Sequence, residues 1–247
     1  MPRTADGERF YVIGDVHGRF DLLCTLIQNI EDHEAALSAA GSVSGGVQLV
    51  LLGDLIDRGN DSARVIECLY NIQRSTDRLT VLMGNHEEMM LRALSGEAGV
   101  YRAWMRFGGD ATVRSFGLEP PGPDDDYEAH ARLFAERIPQ EWVEWVADLP
   151  WFLASGDYFF CHAGVRPGIA LQHQSKEDLL WIRDEFLNDQ SDHGAIIVHG
   201  HSIVQDVEVR RNRIAIDTGA YRSDVLTALY LDGDRCEFLS TGASSAP

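Results

Sequence analysis

The sequence is poor in thiols and in positive charge, and it contains no long apolar run. Its four cysteines, Cys24, Cys68, Cys161 and Cys236, stand far apart without a Cys-x-x-Cys pair. That excludes a zinc knot or a disulfide framework and leaves reduced thiols, as in the cytoplasm. Lys and Arg number 21 against 39 Asp and Glu, a formal net charge of -18, so a nucleic-acid backbone or an anionic membrane would be repelled. A phosphorylated substrate would be repelled as well, unless bound cations reversed the sign locally. No apolar stretch is long enough to cross a bilayer, and acidic Asp6 and Glu8 follow Arg3 where a signal peptide would be apolar. There is no internal repeat of solenoid length. The expectation is a cytoplasmic chain, monomeric by default, with neither nucleic acid nor membrane as partner.

What is present fits one α/β domain, and 247 residues suffice to bury its core without disulfide support. Six apolar, β-branched runs end in glycine, small or polar residues: "FYVIGD" (10–15), "VQLVLLGD" (47–54), "LTVLMGN" (79–85), "YFFCHAG" (158–164), "AIIVHGH" (195–201) and "RIAIDTG" (213–219). Each reads as a buried strand running into a loop. Between the early ones lie helical spacings: Leu23, Leu26, Ile27 and Ile30 behind an Asp21 cap, then Val65, Ile66 and Leu69 behind a Ser62 cap. Strands alternating with helices imply layers, with mixed β-sheets packed between helices. A last pair, "IAIDTGAY" and "VLTALYLDG", reads as adjacent sheet strands. Residues 96–150 differ in kind, with "FGGDAT", "PPGPDDDYE" and then "PQEWVEWVADLP". They predict a helical, cap-like insertion in the single domain 1–247, with Trp142 and Trp145 packed as core. The tail from about 240, "STGASSAP", is expected to be disordered.

Chemistry-bearing residues collect at the predicted carboxyl ends of strands, where active sites of open α/β sheets form. They are Asp15, His17, Asp54, Asp57, Asn85, His86, His162, His199, His201 and Asp217. Singly, Asp15, Asp54 or Asn85 would suit a turn or a helix cap. Together, so many oxygen and imidazole donors are costly to pack unless cations hold them. Carboxylate, amide and imidazole ligands without thiolate suit manganese, iron or zinc. The count exceeds one ion, so two divalent ions bridged by a carboxylate are expected, manganese first, at the carboxyl ends of the strands. His33, His130, His173 and His193 lie in polar segments and are expected to be solvent-exposed.

"GDVHG" (14–18), "GDLIDRG" (53–59), "GNHE" (84–87), "HAG" (162–164) and "GHS" (200–202) resemble the motifs of the calcineurin-type metallophosphoesterases. The resemblance is to the phosphoprotein phosphatase family in its small bacterial and phage form, and "FGGDATVRSFG" and "IAIDTGAY" are similar to stretches of that subgroup. It implies one metal held by Asp15, His17 and Asp54 and a second by Asp54, Asn85, His162 and His201, with Asp54 bridging. A hydroxide lying between the ions would attack phosphorus directly. His86, oriented by Asp57, would protonate the leaving alkoxide. Arg58, Asn85 and Arg183 would bind the phosphate. The implied activity is dephosphorylation of phosphoserine and phosphothreonine in proteins, with small phosphoesters also accepted. One alternative is a symmetrical diadenosine tetraphosphate hydrolase of the same fold; such enzymes share "GDVHG" but typically lack the aspartate matching Asp57 and carry aspartate where Glu87 stands. Another is a scaffold that only binds phosphorylated partners. In the family pattern His201 takes the metal, whereas His199 is expected beside it, hydrogen-bonding at most to a ligand. Asp217 and Tyr221 are likewise expected to support the site from behind.

Overall fold

Successive side chains of a strand point to opposite faces, and in this chain that alternation decides the layering. A computed structural model describes residues 1–43, 46–97 and 99–242. The chain opens with β1 (Arg9–Ile13), α1 (Phe20–Ala39), β2 (Val47–Leu51), α2 (Ser62–Ser75), β3 (Leu79–Val81) and α3 (Asn85–Leu94). A helical stretch follows: α4 (Val100–Trp104), a π-helical turn (Met105–Gly109), α5 (Asp110–Ser115), α6 (Tyr127–Ala135) and α7 (Gln140–Ala147). Then come β4 (Phe152–Ser155), β5 (Tyr158–Cys161), α8 (Lys176–Trp181), α9 (Asp184–Leu187) and β6 (Ile196–His199). The chain closes with β7 (Glu208–Val209), β8 (Arg213–Ala215), α10 (Ala220–Ser223), β9 (Thr227–Asp232) and β10 (Arg235–Ser240).

The strands form two mixed five-stranded sheets, in the orders β10-β9-β1-β2-β3 and β4-β5-β6-β8-β7. β1, β2 and β3 are parallel, as are β5, β6 and β8, and β9, β10, β4 and β7 join antiparallel to their neighbours. Phe10 and Val12 of β1 meet Tyr158 and Phe160 of β5 in the core between the sheets. Tyr11 and Ile13 point the other way, into a larger core under α1 to α7 that includes Trp104 and Phe134. Phe159 and Cys161 face outward from the second sheet and are covered by Leu179 of α8 and Phe186 of α9. The order is thus helix, sheet, sheet, helix, the mixed α/β layering expected. Cys161 is core, and Trp142 and Trp145 pack against the helical core beside Tyr70.

Several local expectations are corrected. "IAIDTGAY" and "VLTALYLDG" do not pair: β8 lies in the second sheet and β9 in the first, antiparallel to β1. Apolar alternation identifies both as strands but carries no information on which sheet each joins. Asp21 does not cap α1, since its carboxylate is taken by Arg19. Ser62 is the first residue of α2 rather than its cap, and its hydroxyl accepts from the Asp57 N–H at 3.1 Å. Ser240 ends β10 and the Thr241 N–H donates to Leu226 O at 3.0 Å; residues 243–247 of the expected disordered tail lie outside the described residues. Of the four histidines expected in solvent, only His173 is exposed. His33 bonds to the Tyr11 hydroxyl, His130 to the Tyr101 hydroxyl, and His193 packs on Phe186. Among the described residues no helix is long and apolar enough to cross a membrane.

Candidate metal centre

The loops after β1, β2, β3, β5 and β6 carry their polar residues to one place, with Asp54 at its middle. Asp54 Oδ2 lies 3.5 Å from His17 Nε2 and 3.8 Å from His86 Nε2, and Oδ1 lies 3.4 Å from His162 Nε2. Potential ligand atoms of His17, Asp54 and His86 all lie within 4.8 Å of one another, and so do those of Asp54, His162 and His201. Asp54 is common to both groups. Asn85, the first residue of α3, joins the second, its Oδ1 2.8 Å from both His162 Nε2 and His201 Nδ1. Asp15 stands beside these groups rather than in them, accepting the His201 N–H at 3.0 Å and 3.2 Å.

The donor set fits divalent cations. His17 donates Nδ1–H to Ile56 O at 2.8 Å, and His162 donates Nδ1–H to Leu52 O at 2.9 Å. Burial pushes both imidazole pKa values down, so each ring is neutral and presents an Nε2 lone pair inward. For His162 that lone pair meets the Asn85 amide oxygen at 2.8 Å. Two acceptors so close have no proton to share, and a cation between them removes the conflict. Burial likewise pulls His201 down to about 2. Asp54 stays ionised: burial opposes its charge, and the imidazoles of His162, His86, His17 and His201 outweigh that opposition. Asp15, Asp54, Asp57, Glu87 and Asp217 are all buried here, a density of carboxylates that metal cations would neutralise.

Backbone strain marks the same residues. Among the described residues, the non-glycine positions with positive φ are His17 (45°), Asp54 (49°), Asp57 (74°), Arg58 (70°), His201 (61°) and Asp224 (58°). All but Asp224 belong to the constellation. Such conformations persist only where their surroundings enforce them. One enforcer is Glu87, which in the sequence stands out only as the glutamate of "GNHE" where the symmetrical tetraphosphate hydrolases carry aspartate. Its buried carboxylate accepts the N–H groups of Asp54, Leu55, Ile56 and Gly84 at 2.8, 2.8, 3.2 and 2.9 Å. Burial, reinforced by the Asp54 charge, lifts its pKa to about 8. The signal was its place three residues after a loop glycine, as in a capping box. Glu87→Gln turns an NH2 toward two of those donors and is expected to destabilise the ion-free protein by about 2–4 kcal/mol, read from denaturant melts; an unchanged midpoint would deny Glu87 this role.

The remaining candidates converge as well. His86 donates Nδ1–H to Asp57 Oδ2 at 2.6 Å, leaving Nε2 toward the centre, 3.0 Å from Arg58 Nη2. Burial alone would lower the His86 pKa, but Asp54 and the Asp57 hydrogen bond raise it above the ordinary value. Arg58 Nη1 donates to His17 Nε2 at 2.8 Å, and its guanidinium lies 4.7 Å over the Tyr221 ring. Arg183, in the break between α8 and α9, donates Nε–H to His201 Nε2 at 2.9 Å. Asp217 accepts the Gly219 N–H, and burial raises its pKa to about 6.

His199 and His201 part company at Gly200. A Cβ on Gly200 would lie 2.0 Å from Asp15 Oδ1, so only glycine lets Asp15 close on the His201 backbone. His201 takes the left-handed turn and enters the centre. His199 stays at the end of β6, fully buried, its ring 5.1 Å from Phe186 and its Nε2 without a hydrogen-bond partner. Burial drives its pKa to about 3. The expected hydrogen bond to a ligand is not made; its Nδ1 reaches only Gly200 O, at 3.0 Å.

The sequence has relatives among known proteins. A family model described as calcineurin-like phosphoesterase matches residues 8–228. Serine/threonine-protein phosphatase 1 of Salmonella typhimurium is 30% identical over 232 residues, covering 88% of this chain and 89% of that protein. A zinc-dependent endopolyphosphatase of Saccharomyces cerevisiae is 24% identical over 272 residues, covering 95% of this chain and 79% of that protein. A symmetrical bis(5'-nucleosyl)-tetraphosphatase of Vibrio campbellii is 26% identical over 157 residues, covering 64% of this chain and 45% of that protein.

Proposed function

The chain belongs to the calcineurin-like phosphoesterases, and from that premise we propose that it is a serine/threonine protein phosphatase. As a member of the family it is a phosphoester hydrolase with a site for divalent metal. The narrower reading is a phosphomonoesterase that removes phosphate from phosphoserine and phosphothreonine in proteins. When bound by Asp15, His17, Asp54, Asn85, His162 and His201, two divalent ions supply positive charge to the phosphate and lower the pKa of water toward neutrality. Manganese is the first candidate, then iron or zinc.

The chain's own residues do the rest. Arg58 and Arg183 bring guanidinium donors to the phosphate oxygens, and the Asn85 amide adds a neutral contact. Tyr221 lies against the Arg58 guanidinium and 5.4 Å from the His17 ring, limiting where the arginine can swing. His86 gives its Nε2 proton to the departing oxygen, and Asp57 holds the opposite edge of the ring.

The Asp57–His86 hydrogen bond of 2.6 Å is the observation that carries this reading. A serine or threonine alkoxide is a poor leaving group and needs a proton in the transition state. The phosphate leaving groups of a dinucleoside tetraphosphate or a polyphosphate hardly do. A cytoplasmic monomer acting on phosphorylated proteins is the default; the charge of -18 supports only the exclusion of nucleic acid and membrane as partners.

Purified protein with manganese should release phosphate from p-nitrophenyl phosphate and from a phosphothreonine peptide, and chelation should abolish both. Assays with diadenosine tetraphosphate and inorganic polyphosphate run beside them. Faster turnover of either would overturn the protein substrate and leave the metal centre standing. No turnover of any substrate in the metal-loaded protein would leave only a phosphate-binding scaffold.

A further inference from the structure

We infer that the segment between α3 and β4 positions the proton donor, with Trp104 and Thr112 fixing the Asp57 carboxylate so that His86 can turn only its Nε2 toward the substrate. The inference rests on the proposed role of the Asp57–His86 pair and extends it to two residues outside the strand-end loops. Asp57 is completely buried, and both of its oxygens are engaged. Oδ1 accepts from Thr112 Oγ1 at 2.6 Å. Oδ2 accepts from Trp104 Nε1 at 2.7 Å and from His86 Nδ1 at 2.6 Å.

A carboxylate held only by His86 could rotate about its Cβ–Cγ bond and carry the imidazole with it. Pinning Oδ1 and Oδ2 from one helical segment fixes the plane, and the direction left open is the one His86 occupies. The indole N–H is a donor that does not ionise, so Oδ2 is kept as an acceptor. The Nδ1 proton therefore stays on His86.

The same segment also holds the backbone of this turn. The Asp57 N–H donates to Thr112 Oγ1 at 2.9 Å, and the Thr112 oxygen lies 3.0 Å from Ser62 Oγ. The Arg58 N–H donates to Gly108 O at 3.1 Å. Gly108, in the π-helical turn, has φ 110°, and a Cβ there would lie 2.7 Å from Arg58 Cγ. These contacts enforce the left-handed backbone at Asp57 and Arg58 together. Trp104 and Thr112 do not touch the reacting atoms; they are positioning residues, and their effect should depend on how much the leaving group needs a proton.

Thr112→Val removes the hydroxyl at nearly constant shape, Thr112→Ser restores it, and Trp104→Phe removes the indole donor. Each is loaded with manganese and assayed on β-glycerophosphate, an alkyl ester, and on p-nitrophenyl phosphate, an aryl ester, with bound metal quantified. Thr112→Val should lower kcat on the alkyl ester by about 10- to 100-fold, the range for losing a partner that orients an active group. The aryl ester should lose far less, bound metal should be unchanged, and Thr112→Ser should recover most of the alkyl rate. Trp104→Phe should shift the alkyl-to-aryl ratio the same way, and it supplies the reading if Thr112→Val does not fold. Equal losses on both esters, or no recovery in Thr112→Ser, would overturn the inference. Because neither small ester tests peptide recognition, a wild-type preference for dinucleotides would refute the protein-phosphatase reading separately.

Discussion

Asp54→Asn is expected to lower turnover of every phosphoester by at least about a thousandfold, or about 4 kcal/mol, and to lose bound metal at the same time. Asp54 is the residue common to both donor groups, so its replacement weakens both together. Asparagine keeps the shape and tolerates the left-handed φ of 49°, while one negative oxygen becomes an NH2 aimed at the imidazoles. Glu87 still grips the position-54 N–H, so the backbone should survive. Metal analysis beside a thermal melt separates loss of the centre from loss of the fold. Two ions retained with full turnover would remove Asp54 from the centre.

The same pair of measurements distinguishes the neighbouring histidines. His201→Ala should cost metal and activity together, whereas His199→Ala should leave metal bound and instead lower the melting temperature, since His199 fills space against Phe186.

The clustering of these residues is legible in the sequence because the candidate ligands sit in short motifs directly after strands. "GDVHG", "GDLIDRG" and "GNHE" each join an apolar run to its polar loop, and each loop reaches the predicted place. What the sequence could not show depends on distant segments meeting. Asp57 and Thr112 are 55 positions apart and Asp57 and Trp104 are 47 apart, so nothing in local periodicity links "FGGDAT" to "GDLIDRG". Glu87 was visible as a letter in a motif, but its work is to collect N–H groups from another loop. β8 and β9 looked equivalent because both are short apolar strands, and their sheets are chosen by partners elsewhere in the chain. The partial burial of His33, His130 and His193 is hidden for the same reason: polar neighbours in sequence do not reveal a phenol or a phenyl ring packed on top.

His86→Asn should divide substrates by the basicity of the oxygen they release. General acid catalysis contributes about 10²- to 10⁴-fold, and an alkyl phosphate, whose alkoxide must be protonated as it leaves, should lose a factor in that range. p-Nitrophenolate leaves without help, so the aryl ester should fall by much less. In the ion-free protein Asp54 and the Asp57 hydrogen bond overcome the effect of burial and raise the His86 pKa above the ordinary 6.5; in the loaded enzyme the Asp57 hydrogen bond is the part of that support the ions leave in place. A raised pKa means the acid form survives to higher pH. The alkaline limb of kcat/KM on the alkyl ester, if it belongs to this acid, should disappear in His86→Asn. His86 Nε2 also stands 3.8 Å from Asp54 Oδ2 and 3.0 Å from Arg58 Nη2, so a merely structural histidine would disturb phosphate binding for all substrates alike. Equal losses on alkyl and aryl esters, with the alkaline limb unmoved, would assign His86 to binding and remove it from proton transfer.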